Sequence, residues 1–211
     1  RQSVGESAPV VDKVRAFFNH PEFVAASAEC LSEALVGFES AEVAFTAHSI
    51  PASMAAGCDY SEQLQETARL VSESCGVEAS RWSVVYQSRS GRPGDRWLEP
   101  DIVDHVRRLH EQGVEDLVVH PIGFLSDHLE VQFDLDVEVS EVCGELGIRM
   151  SRAKTVGVHS RFVGMLGDLI AERCCGAGES GVRATVGVLP ACGDVCPEGC
   201  CRSGRGVLVE G

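Results

Sequence analysis

The sequence has little positive charge and no long hydrophobic run. Its 211 residues include 18 Lys and Arg against 32 Asp and Glu, which gives a net charge of -14. Nucleic-acid binding needs clustered Lys and Arg, so this balance argues against a nucleic-acid partner. No stretch contains the about 18 consecutive apolar residues of a membrane-spanning helix, and the N-terminus does not resemble a secretory signal. We expect a cytoplasmic protein with no membrane span.

Cysteine, by contrast, is abundant. In a cytoplasmic setting, the ten cysteines indicate metal ligands or redox groups rather than a disulfide scaffold. Six of them crowd the glycine-rich end of the chain: Cys174, Cys175, Cys192, Cys196, Cys200 and Cys201. No Cys-x-x-Cys pair occurs there and no histidine follows His159, so a zinc ribbon fits poorly. An iron–sulfur cluster and a tail of oxidation-prone thiols both remain open.

Short apolar runs alternate with helical patterns along the chain. Strands are predicted at 43–47, 82–87, 116–121 and 148–152, and helices at 21–35, 61–75, 100–112, 127–146 and 160–173. This alternation predicts an α/β fold, a three-layer parallel sheet with helices on both faces that resembles half of a Rossmann fold, followed by a Cys-rich C-terminal tail. Ligands of such sheets bind at the carboxyl ends of the strands.

Two sets of polar residues follow predicted strand ends. His48 ends the apolar run at 43–47, where an imidazole can accept a proton or bind a metal, although a lone histidine at a strand end is more often structural. Glu130, Asp134 and Glu138 recur every fourth residue and so share one helical face. That row is either a solvated acidic face or a path for a divalent cation or protons.

Turn residues and aromatics meet between positions 86 and 100. Tyr86 and Ser88 open this segment, and Trp97 lies near its end. The segment can cover a flat apolar ligand, although core packing explains Tyr86 and Trp97 equally well.

Three motifs together resemble the ferrochelatase family. They are Phe45-Thr46-Ala47-His48-Ser49-Ile50-Pro51, then Tyr86-Gln87-Ser88-Arg89-Ser90-Gly91 with Trp97-Leu98-Glu99-Pro100, and then Pro121-Ile122-Gly123-Phe124-Leu125-Ser126-Asp127-His128-Leu129-Glu130-Val131. The resemblance covers roughly residues 10–173, in the family's order. It departs from the family in length and at Arg96, where proline is usual.

The resemblance implies a lyase of haem biosynthesis that inserts Fe2+ into a porphyrin. His48 would take pyrrole protons or help to bind iron, and Glu130 would face it across the macrocycle. Asp134 and Glu138 would extend an acidic path, and Tyr86, Ser88 and Trp97 would contact the porphyrin. We expect a monomer whose partners are the porphyrin and ferrous iron.

The Cys-rich end is similar to the actinobacterial branch of the family. That likeness implies a [2Fe-2S] cluster held by Cys196, Cys200 and Cys201, with Cys30 as the fourth ligand and Cys192 as its alternate. It also implies coproporphyrin III as substrate and coprohaem as product, with protoporphyrin IX as the other candidate.

The missing initiator Met and the family's greater length suggest the C-terminal half of a longer enzyme. Residues 1–40 would lead in from the other half, 41–175 would form the chelatase-like domain, and 176–211 would form the tail, a candidate iron–sulfur segment. Two alternatives are a cobalt or nickel chelatase acting on sirohydrochlorin and a non-catalytic module that binds or senses tetrapyrrole or an iron–sulfur cluster.

Overall fold

A four-stranded parallel sheet lies at the centre of the protein, in a computed structural model that describes residues 5, 8–9, 11–89, 94–175 and 183–195. The strands are β1 (Glu42–His48), β2 (Trp82–Gln87), β3 (Asp116–His120) and β4 (Arg149–Arg152). Their order is β2-β1-β3-β4, and each neighbouring pair is parallel. The predicted fold is confirmed, and the carboxyl ends of β1, β2 and β3 share one edge.

Helices flank the sheet within one or two residues of most predicted bounds. They are α1 (Pro21–Ala34), α2 (Ala52–Ala55), α3 (Tyr60–Ser74), α4 (Ile102–Glu111), α5 (Leu129–Val131), α6 (Ser140–Leu146) and α7 (Ser160–Cys175). A short 3-10 helix (Ala79–Arg81) precedes β2. Within the described ranges, no helix combines the length and apolarity needed to cross a membrane.

The predicted continuous α-helix at 127–146 is wrong in two respects. It begins at Leu129, because the His128 ring accepts a hydrogen bond from the backbone N–H of Val131 (3.4 Å) and so caps the helix there. Its middle, Gln132–Val139, is a π-helix that joins α5 to α6. The backbone there bonds i to i+5, a rare geometry often found at functional sites.

The alternation of side chains along β1 builds a core on each face of the sheet. Val43, Phe45 and Ala47 pack on one face against α1 and α3, whereas Ala44 belongs to the core with α4, the π-helix and α6. Burying an aliphatic side chain of this size contributes about 1.5–3 kcal/mol. The two cores therefore make the sheet a firm platform for residues at its edge.

The N-terminal and C-terminal parts of the described chain both pack against the core that lies between the sheet, α1 and α3. In α1, Val24 and Leu31 belong to the core that the sheet shares with α3. Residues 183–195 lie against the lead-in, where the backbone N–H of Val186 donates to the carbonyl of Asn19 (2.9 Å). The three-part division at positions 40 and 175 stays a prediction, and Cys196, Cys200 and Cys201 lie outside the described residues.

Candidate active site

His48 is the last residue of β1, at the carboxyl edge of the sheet. Its Nδ1 lies 2.5 Å from the carbonyl oxygen of Ser49. A carbonyl oxygen only accepts hydrogen bonds, so Nδ1 carries the proton and donates it to Ser49. In the neutral imidazole, Nε2 then keeps its lone pair and is free to bind a proton or a metal.

Glu130 lies directly opposite that lone pair. Its Oε1 is 3.5 Å from His48 Nε2, and the two side chains are 48% and 35% exposed. A neutral Nε2 and a carboxylate oxygen are both acceptors, so neither satisfies the other. A proton or a cation placed between them gains a partner from each.

The two sequence-predicted catalytic residues are thus brought together, but not across a macrocycle. Van der Waals contact on both faces of a flat ring requires about 7 Å between the flanking atoms. The 3.5 Å between His48 Nε2 and Glu130 Oε1 leaves no such room. At this separation the two groups reach a ligand from the same side, and the placement of Glu130 across a porphyrin from His48 stays a prediction.

A glycine contact sets this proximity. After β3, the backbone N–H of Gly123 donates to the carbonyl of Thr46 (3.0 Å). A Cβ on Gly123 would lie 2.5 Å from Ala47 Cβ and 2.8 Å from Ala47 Cα, closer than real atoms approach. Because only glycine permits this approach, the loop after β3 can rest on the end of β1 and carry α5 toward His48.

The acidic row continues from Glu130 along the π-helix. Asp134 Oδ2 accepts hydrogen bonds from Gln87 Nε2 (3.0 Å) and from the Ser88 hydroxyl. Asp134 and Glu138 line a cavity of about 300 Å³ together with Gln87 and Ser88. These oxygens suit a hard divalent cation or a chain of proton acceptors. The roles of Asp134 and Glu138 stay predictions.

Gln87 is a residue that sequence reasoning missed. It is 1% exposed, and its backbone carbonyl accepts the N–H of Ser49 (2.7 Å) while its side-chain amide holds Asp134. Gln87 therefore connects the turn after His48 with the acidic row. The sequence signal that could have singled out Gln87 is a polar side chain at the end of an apolar strand.

An exposed apolar row runs beside the acidic one. Leu129 is 80% and Phe133 is 51% exposed. Val131 and Leu135 fill the core instead. A flat apolar ligand that reaches the acidic row would therefore find apolar surface next to it.

The three predicted porphyrin contacts lie in different settings. Tyr86 is 5% exposed and its ring belongs to the core, which leaves little of it for a ligand. Ser88 binds Asp134, as described above. Trp97 is half-buried and forms an antiparallel bridge with Pro51, which ties this loop to the turn after His48. Contact of these residues with porphyrin stays a prediction.

Of the predicted cluster cysteines, Cys30 and Cys192 lie within the described residues. Cys30 is buried, with its Sγ 3.8 Å from the carbonyl of Thr155, and this burial raises the pKa of the Cys30 thiol. A buried neutral thiol is a poor metal ligand, since metals bind the thiolate. Burial makes Cys30 the less accessible of the two candidates for the fourth ligand, and its role stays a prediction. Within the described ranges, no group of three or more His, Cys, Asp or Glu could hold a metal ion.

Cys192 lies in a different setting from Cys30. It lines a cavity of about 580 Å³ that Cys58 also lines, and Gln63 Nε2 approaches its Sγ at 3.6 Å. A half-buried thiol beside a cavity can be reached by a metal species. Cys192 is thus the more accessible of the two candidates for the fourth ligand, and the choice between Cys30 and Cys192 stays a prediction.

The fold and the site together define a class: an α/β protein whose sheet edge offers an imidazole and carboxylates to a divalent cation and to protons. Residues 1–174 match the model of the family described as Ferrochelatase. The chain belongs to the ferrochelatase family.

The names of similar proteins agree with this family assignment. A protein of Rhodopirellula baltica named Ferrochelatase is 48% identical over 95% of this chain and 57% of its own length. A protein of Nocardia farcinica named Coproporphyrin III ferrochelatase is 39% identical over 100% of this chain and 63% of its own length. The chain thus spans about three fifths of the length of these relatives.

One solved structure shows a partial likeness. The putative cobalamin (vitamin B12) biosynthesis protein CbiX of Marinobacter aquaeolei VT8 overlaps with a TM-score of 0.45 at 21% identity, covering 63% of this chain and 95% of that one.

Proposed function

We propose that this protein acts as a ferrochelatase and inserts Fe2+ into a porphyrin. The observation that carries the proposal is the 3.5 Å approach of His48 Nε2 to Glu130 Oε1 at the carboxyl edge of the sheet. Membership of the ferrochelatase family supports it. The matched relatives are longer than this chain, so the activity is assigned to the gene product in full.

The reaction requires a metal ligand and a proton acceptor at one place. Two pyrrole N–H bonds break as the metal–nitrogen bonds form, and two protons leave. The Nε2 lone pair of His48 and the carboxylate of Glu130 can hold Fe2+ on one side of the macrocycle and then accept protons. Asp134 and Glu138 would carry protons or iron along the π-helix, and Trp97 and Ser88 would border the porphyrin.

The test is anaerobic mixing of Fe2+ and coproporphyrin III with the gene product in full, followed by the absorbance change of metallation. Glu130→Gln should lower the rate at least about 100-fold, the usual scale for loss of a general base. Glu29→Gln, which alters an exposed glutamate paired with His159, is the matched control and should stay within about twofold. No turnover by the unmodified protein, or equal rates for both variants, would refute the proposal.

Coproporphyrin III is the proposed substrate. Support comes from relatives of Nocardia farcinica and Streptomyces griseus that are named Coproporphyrin III ferrochelatase. Competition between coproporphyrin III and protoporphyrin IX, with both metallated products quantified, tests the choice. A product mixture dominated by protohaem would contradict it.

A [2Fe-2S] cluster is proposed as a bound cofactor, with Cys192 joining Cys196, Cys200 and Cys201 in place of Cys30. The support is the cavity beside Cys192 and the burial of Cys30. Protein purified anaerobically should carry iron and sulfide and absorb visible light. Cys192→Ser should remove that absorbance, while Cys30→Ser should keep it; the opposite pattern would restore Cys30 as the ligand.

A monomeric state and a cytoplasmic location complete the proposal. The support for both is the net charge of -14, since strong like charge keeps a protein soluble and opposes self-association. Light scattering of the purified protein and fractionation of the producing cells test them, and a dimeric mass or a membrane-bound fraction would contradict them.

A further inference from the structure

The peptide that follows His48 is held at both of its polar atoms. Its N–H belongs to Ser49 and donates to the carbonyl of Gln87 (2.7 Å). Its carbonyl belongs to His48 and accepts the phenol hydroxyl of Tyr60 (2.9 Å). The first bond comes from the neighbouring strand β2, and the second comes from the first residue of α3.

The orientation of the His48 ring depends on this peptide. Nδ1 of His48 binds the carbonyl of Ser49, which is the next peptide along the chain (2.5 Å). If the first peptide plane rotates, the Ser49 carbonyl moves, and the ring that rests on it moves too. The direction of the Nε2 lone pair toward Glu130 therefore depends on both ends of the His48–Ser49 peptide.

Tyr60 is well suited to hold the carbonyl end. Its ring packs against the core shared by β1, α1 and α3, so it has a fixed base. Burial raises the pKa of the Tyr60 phenol to about 12. The hydroxyl consequently keeps its proton at neutral pH and can always donate to His48.

We propose that Tyr60 is a positioning residue for metal insertion: its hydroxyl fixes the His48–Ser49 peptide and thereby aims His48 Nε2 at Glu130. The inference rests on the proposed function, since insertion is the step that the aim serves. Tyr60 touches neither iron nor porphyrin in this account. It acts through the backbone of His48.

Tyr60→Phe tests the proposal in the gene product in full, because it removes only the hydroxyl. Loss of one hydrogen bond of this kind should lower kcat about three- to tenfold, with KM for the porphyrin unchanged. The matched control is Thr67→Val on the same helix, which removes a buried hydroxyl bonded to the carbonyls of Phe18 (2.9 Å) and Gln63 (2.8 Å). This control should lower Tm and leave kcat unchanged.

A second measurement does not depend on activity. Nitrogen-15 NMR of the imidazole should show His48 as the Nδ1–H tautomer in the unmodified protein and a mixture of tautomers in Tyr60→Phe. Unchanged kcat and an unchanged His48 spectrum in Tyr60→Phe would overturn the proposal. A shifted spectrum in a protein that metallates no porphyrin would instead refute the proposed function and keep the role of Tyr60.

Discussion

Two histidine–glutamate pairs in this protein differ in what surrounds them. His48 and Glu130 lie 3.5 Å apart at the edge of the sheet, and His159 and Glu29 lie 3.1 Å apart between α7 and α1. Arg161 also binds Glu29 (2.7 Å), which lowers the pKa of that carboxyl. The charge of Glu29 is thus balanced by Arg161, whereas Glu130 faces Nε2 of His48. The same residue types form a surface contact beside an arginine in one place and the proposed site for a proton or cation in the other.

The largest expected effect separates the two histidines. His48→Ala should reduce metallation at least about 100-fold, because the metal ligand and proton acceptor is removed. His159→Ala removes an exposed ion pair of small energetic value and should change the rate less than about twofold. Initial rates of porphyrin metallation measure both. Equal losses of rate in the two variants would contradict the proposed difference between the His48–Glu130 and His159–Glu29 pairs.

Buried histidines provide a contrast with both pairs. Burial lowers the pKa of His120 to about 4, and burial with the neighbouring Arg108 lowers the pKa of His105 to about 4. Below about pH 6.5 the unfolded chain binds protons that the folded protein excludes. Stability is therefore complete above that pH and falls as the pH drops toward 4, by about 3 kcal/mol for each histidine.

Urea unfolding at several pH values measures that loss. The variant His120→Leu should show a shallower fall in unfolding free energy between pH 6.5 and 4 than the unmodified protein. An identical slope in the two proteins would contradict the assignment. This measurement distinguishes the histidines that are buried in the core, His105 and His120, from His48 at the carboxyl edge of the sheet.

The contact that joins β1 to the loop after β3 should have the next largest effect. Gly123→Ala places a Cβ against Ala47 and should destabilise the fold by about 1–3 kcal/mol, while moving His48 away from Glu130. Gly164→Ala lies in an exposed part of α7 with no atom near the new Cβ and should stabilise by up to about 1 kcal/mol. Urea midpoints of the two variants measure these effects. A Gly123→Ala protein of normal stability and rate would exclude the contact as a determinant of the site.

The sequence was informative where local pattern decides structure. The apolar runs ending at His48 and Gln87 predicted strand ends, and parallel topology placed them on one edge. The π-helix was missed because Val131, Leu135 and Val139 recur every fourth residue, a pattern that an α-helix would show as well. The local sequence also gave no sign of how close Gly123 lies to Ala47.

The cysteines show the other limit of sequence reasoning. Spacing grouped the C-terminal cysteines, but the surroundings of Cys192 depend on the path by which residues 183–195 pack on the rest of the protein. That path places Cys192 and Cys58 on one cavity, while Cys30 is buried in α1. Long-range packing of this kind has no signature in the spacing of cysteines.

The most direct test of the account is a double-mutant cycle on His48 and Glu130. Rates of Fe2+ insertion into coproporphyrin III are measured anaerobically for the unmodified protein, His48→Ala, Glu130→Gln and the double variant. If the two side chains act as one unit, the double variant should be no slower than the slower single variant. Penalties that multiply in the double variant would contradict the central claim that the two residues form a single site.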